Sequence, residues 1–109
     1  MDLTQKKCVA CEGDVKPLAE REIKAFLGYL KTPWEVLDNK KIRREFRYKG
    51  FKQAMAFVNK VAEIAESEGH HPDIHIFYNK VIIELWTHAI GGLSENDFIV
   101  AAKIEQVIK

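Results

Sequence analysis

The hydrophobic period of this chain switches near its centre, and that switch limits the folds open to it. From Phe51 to Glu68, the residues Phe51, Ala54, Met55, Val58, Val61, Ala62 and Ala65 recur at helical spacing and form a broad apolar face. Gly69 follows, a residue suited to the left-handed conformation that ends helices. The text then becomes "DIHIFYNKVIIELW", rich in β-branched and aromatic residues. Asn79-Lys80 fits a two-residue hairpin turn inside it. A long helix followed at once by a hairpin requires helix and sheet to share one core.

The flanks extend this pattern. Pro17 fits the first turn of a helix, where its missing N–H is no loss, and Ile23, Phe26, Leu27 and Leu30 follow as a helical stripe. Gly28 and Pro33 mark the end of that helix, and Trp34 to Leu37 reads as a short strand. "DNKK" is turn chemistry, and "IRREFRYK" then alternates, with Ile42, Phe46 and Tyr48 opposite Arg43, Glu45 and Arg47. After "GGL", Ser94 and Asp97 resemble a capping box with Asp in place of Glu or Gln. Val100, Ala101, Ile104, Val107 and Ile108 line one side of the last helix. The predicted fold is α+β: a four-stranded antiparallel sheet with three helices packed on one face. It spans 1–109 as a single domain, with 1–13 an irregular N-terminal arm.

Composition narrows the partners. Lys and Arg total 17 against 16 Asp and Glu, so no long-range field draws the chain to nucleic acid or an anionic membrane. Within the basic cluster Lys40, Lys41, Arg43, Arg44, Arg47 and Lys49, Arg43 and Arg47 with Glu45 fit a solvated strand face. No apolar run approaches the roughly 20 residues that span a bilayer, and the first residues lack the apolar centre of a signal peptide; the expectation is a cytoplasmic protein. A chain of 109 residues often gains stability by self-association. Cys8 and Cys11 are half of a zinc site without the other half, and read as reduced thiols; metal binding shared between subunits is the alternative.

All four histidines, His70, His71, His75 and His88, fall in one segment. With the turn at Asn79-Lys80, Tyr78 pairs with Val81, His75 faces Glu84 and His71 comes level with His88. Ile74, Ile76 and Tyr78 then share the helix-covered face with Val81, Ile83 and Leu85. His75 and Phe77 share the other with Ile82, Glu84, Trp86 and His88, a mixed face that suits a pocket or a subunit contact. Trp34 is open to a pocket, core or edge role. Imidazoles gathered beside Trp86 are suited to moving protons near neutrality.

The same residues carry a resemblance. Glu66, three residues, His70-His71-Pro72, five residues, Tyr78, nine residues, His88, eight residues, Asp97 resembles the signature of the pterin-4a-carbinolamine dehydratases. "REFRYKGFKQAMAFVNKVAEIAE", "GHHPDIHIFYNKV" and "THAIGGLSENDF" are similar to that family too, from about Leu18 to the C-terminus. The resemblance implies conversion of 4a-hydroxytetrahydropterin to quinonoid dihydropterin and water in tetrahydropterin recycling. It implies a pterin substrate, no metal or organic cofactor, and a homodimer or homotetramer. It implies an active site at His70, His71 and His88; the proton chemistry of the reaction suits His70 and His88 as an acid–base pair, with either one giving the proton, and His71 binding or orienting the pterin. Glu66 would hold an imidazole, while Gly69, Trp86, Thr87 and Ala89 would contact the flat heterocycle. Pro72 and Tyr78 read as architectural, and Asp97 as a helix cap. Gly69 stands where animal members carry Asp, and Ala89 where many members carry an acidic residue.

Two other classes of function fit parts of the sequence. Animal relatives also serve as dimerisation partners of a transcription factor, so a protein-binding dimerisation module is one. A metal hydrolase is the other, since His70, His71, His75 and His88 offer nitrogen ligands, though no acidic cluster completes such a set.

Overall fold

In the computed structural model, which describes residues 2–9 and 15–108, the elements run α1 (Glu20–Leu27), β1 (Glu35–Leu37), β2 (Lys41–Arg47), α2 (Phe51–Glu68), β3 (Asp73–Phe77), β4 (Lys80–Leu85) and α3 (Glu95–Glu105). Short 3-10 turns lie at Leu3–Gln5 and His88–Ile90. The four strands form one antiparallel sheet in the order β1-β2-β4-β3. This is the α+β fold that the periodicity predicts.

The inner face of the sheet presents Ile42, Phe46, Val81, Ile83 and Leu85, all buried, to the helices. α2 meets it through Ala54, Phe57, Val61 and Ala65. Phe51 is half-exposed and Ala62 is exposed, so the buried stripe is rotated from the predicted face. The predicted and observed arcs overlap on Ala54, Val58, Val61 and Ala65, and Phe57 decides which flank turns inward. Its ring lies 4.7 Å from that of Phe46 and 5.2 Å from that of Tyr48. α3 is buried on nearly every side, since α1, α2 and the Leu3–Gln5 turn all pack on it. Trp34 belongs to the core, its indole N–H donating to Glu105 at 3.2 Å.

Two local expectations are corrected. The hairpin turns at Tyr78-Asn79, with Phe77 opposite Lys80, one residue earlier than predicted. His75 therefore faces Ile82, and Asp73 faces Glu84. Tyr78 adopts φ +52°, a conformation that its side chain gives no sign of. The two faces are sorted as predicted, because the slip moves pairs by two in total and preserves alternation. β3 is an edge strand, however, so Ile76 and Tyr78 are exposed rather than covered by helices.

Secondly, α1 starts at Glu20, after Pro17. The Glu22 carboxylate accepts the Ala19 N–H at 2.8 Å and sets the start, while Leu18 N–H donates to Leu93 O at 2.8 Å. Pro17 packs on Gly92, where a Cβ would lie 2.8 Å from the proline ring.

The described N-terminal residues, irregular apart from the Leu3–Gln5 turn, pack on the domain. Asp2 caps the first 3-10 turn, accepting from Thr4 N–H at 3.0 Å, and Leu3 is buried in the core. Cys11 lies outside the described residues, and with it the C-x-x-C pairing.

Candidate functional site

Two chain reversals bring the histidines together. Gly69 ends α2 at φ +65°, and His70 N–H turns back to donate to Ala65 O at 3.2 Å. At the far end of β4 the chain turns through His88–Ile90, with Gly91 at φ +65°. Thr87 N–H donates to Gly92 O at 2.8 Å and closes that loop. Between the two lies a cavity of about 690 Å³, within the usual ligand-site range. His70, His71 and His88 all line it, as do Gly69, Trp86, Thr87 and Ala89. Glu66 does not line it: that carboxylate is exposed on the last turns of α2 and reaches His71 Nε2.

Each imidazole has a different neighbour. His70 Nε2 lies 2.6 Å from Oδ1 of Asp97, a residue with no exposure. Asp97 Oδ2 accepts from Thr87 Oγ1 at 2.8 Å and from Ser94 N–H at 3.0 Å. Thr87 Oγ1 in turn lies 2.7 Å from Ser94 Oγ. With Asp97 as acceptor throughout, the proton belongs on Nε2 of His70, which leaves Nδ1 as the ring's acceptor nitrogen. His88 stacks on Trp86 with ring centroids 3.8 Å apart and planes 25° from parallel. The indole N–H of Trp86 donates to Asp73 at 2.9 Å, and the Lys41 ammonium sits 5.2 Å from its ring.

The remaining wall was not foreseen. Cys8, Val9, Glu68 and Asn96 also line the cavity. Burial, together with the negative charge of Glu68, pushes the Cys8 thiol up to about 12, so it stays a neutral thiol near pH 7. Burial of Glu68 opposes its ionisation, but the Lys103 ammonium and the Cys8 N–H outweigh this and hold its pKa below the usual value. Of this wall the sequence singles out only Cys8, and as half of a C-x-x-C pair rather than as a pocket residue.

Asp97 does cap α3, its carboxylate accepting the Ser94 N–H, and the Ser94 hydroxyl also lies within hydrogen-bond distance of Thr87 Oγ1. His75 lies outside the cavity on the open sheet face, 3.7 Å from the Glu84 carboxylate. Among the described residues, no three His, Cys, Asp or Glu side chains are grouped to hold a metal ion. No described helix is long and apolar enough to cross a membrane.

Comparison with known proteins agrees with the motif. The family model described as pterin 4 alpha carbinolamine dehydratase matches residues 16–107. A protein of Nitrosospira multiformis with a provisional pterin-4-alpha-carbinolamine dehydratase name is 52% identical, over 99% of this chain and 94% of its own. A Nitrosomonas eutropha protein of the same name is 49% identical, over 98% and 94%. Among solved structures, a transcriptional coactivator/pterin dehydratase from Brucella melitensis superposes with a TM-score of 0.79 at 33% identity, covering 86% of this chain and 100% of that one. A pterin dehydratase-like RuBisCO assembly factor of the alpha-carboxysome shares the fold, with a TM-score of 0.62 at 22% identity, covering 72% and 92%. The chain belongs to the pterin 4 alpha carbinolamine dehydratase family.

Proposed function

We propose that this protein is a dehydratase that converts 4a-hydroxytetrahydropterin to quinonoid dihydropterin and water, in tetrahydropterin recycling. The observation that carries the reading is the convergence of His70, His71 and His88 on one cavity. The substrate bears a hydroxyl on C4a and a hydrogen on N5. Elimination needs one proton delivered to the departing oxygen and one removed from N5, so two imidazoles in opposite protonation states suffice. His70 takes the N5 proton through Nδ1, with Asp97 facing the positive charge that appears on the ring. His88, held flat against Trp86, delivers the proton to the hydroxyl. His71, tied to Glu66, orients the pterin. Each proton transfer contributes about 10²–10⁴-fold in rate.

A stopped-flow assay with synthetic 4a-hydroxytetrahydropterin near neutral pH tests this. Acceleration over the spontaneous reaction, abolished in folded His70→Ala and His88→Ala variants, is the expected result. No acceleration by the wild-type chain removes the enzymatic reading. A protein-binding module predicts instead that both variants keep full activity as binders. Self-association as a homodimer or homotetramer is part of the proposal, supported by the edge position of β3 and its exposed Ile76 and Phe77. Light scattering that returns a monomer mass at micromolar concentration removes that part.

A further inference from the structure

We infer that the N-terminal strap, residues 6–9, is a specificity wall of the cavity that limits the size of the substituent a bound pterin carries beside its reacting edge. This inference rests on the dehydratase reading and deepens it. The strap is docked by its own backbone. Cys8 N–H donates to Glu68 Oε1 at 2.9 Å, and Cys8 Sγ lies 3.6 Å from Asn96 O. Val9 N–H donates to Asn96 Oδ1 at 3.1 Å, while the Asn96 amide donates back to Val9 O. Lys6 pairs with Glu95. Both anchors are fixed: Asn96 is 4% exposed, and the Glu68 side chain is 7% exposed. With the Cys8 and Val9 N–H groups bonded to α2 and α3, the strap offers the cavity a neutral thiol and an isopropyl group. Such a wall supplies no strong hydrogen bond and discriminates by volume.

The strap borders the cavity on the His70 side. Glu68 precedes His70 at the end of α2, and Asn96 precedes Asp97, the partner of His70. In a pterin, N5 lies between C4a and C6. With C4a and N5 presented to the histidines, a C6 substituent leaves along the flank next to them, and on the His70 side that flank is Cys8 and Val9. The strap also lies outside residues 16–107, the span matched by the family model, whereas every residue of the proposed proton chemistry lies inside it.

Val9 is 71% exposed, so replacing it removes nothing from the core. The test compares kcat/KM for substrates with a C6 methyl and with a C6 dihydroxypropyl group in wild type, Val9→Trp and Val9→Gly. The expected result is that Val9→Trp lowers the long-to-short ratio by about tenfold and Val9→Gly raises it, with unchanged circular dichroism. If Val9→Trp misfolds, Val9→Leu replaces it with the same expected direction. A ratio within about twofold of wild type in the folded variants overturns the wall while leaving the dehydratase reading intact. If wild type turns over neither substrate, the reading itself has failed and the wall falls with it.

Discussion

Asp97 is the residue on which the proposed chemistry leans hardest. It has no exposure, and its two oxygens serve different elements: Oδ2 caps α3 and holds Thr87, and Oδ1 holds His70. A carboxylate accepts at every position; an amide must present a donor to at least one of these partners. Asp97→Asn therefore misorients His70 or strands Thr87. Activity is expected to fall by about 10²-fold or more in kcat with a displaced pH–rate profile, and stability by about 1–3 kcal/mol in urea melts. Unchanged kcat would remove Asp97 from the mechanism. The exposed Glu66–His71 pair gives the contrasting case. Glu66→Gln should shift stability by less than about 1 kcal/mol, because solvent screens such pairs. The motif contained both acids, but only the cap could be read from Ser94 and Asp97. The His70 bond joins residues 27 apart in sequence and exists only once α2 and α3 have packed.

At the scale of elements, the site is set by how α2 stops and how the hairpin returns. Gly69 at φ +65° has open space where a Cβ would point, so its replacement strains only the backbone. Gly69→Ala is expected to cost about 1 kcal/mol by thermal or chemical melting, from the left-handed conformation alone. A neutral or stabilising result would mean the stop tolerates a side chain. The elements themselves were legible: α2 was bounded at Phe51 and Glu68 by period and glycine, and alternation sorted both faces of the hairpin. Asn79 belongs to the turn in both registers, but it takes the second position rather than the first, with Tyr78 at positive φ before it, a placement that residue type does not signal. The gathering of the histidines survived that slip, since it depends on Gly69 and on the loop after β4 rather than on one ladder pair. The strap was illegible for a different reason. Its short stretch has no period, and its order comes from Glu68, Glu95 and Asn96, on distant elements.

For the whole molecule, Glu68 adds a charged tie between three pieces that also meet through the core and through Asn96. It sits at the end of α2, accepts the N–H of Cys8 in the strap and pairs with Lys103 of α3. Burial alone would favour the neutral acid, but Lys103 and the Cys8 N–H overcome it, so the folded-state pKa lies below the ordinary value of 4.5. Protons therefore bind the unfolded chain more readily than the folded one at this group. The stabilisation is fully present above the unfolded pKa and disappears as pH falls through the folded one. Wild type and Glu68→Gln should then differ in urea midpoint by a constant amount near neutrality and converge in acid, below the carboxylate range. The variant should also release the strap, seen as faster hydrogen exchange at the Cys8 and Val9 amides. A stability gap that persists undiminished at low pH would show that the Glu68 charge adds nothing to the joint of strap, α2 and α3.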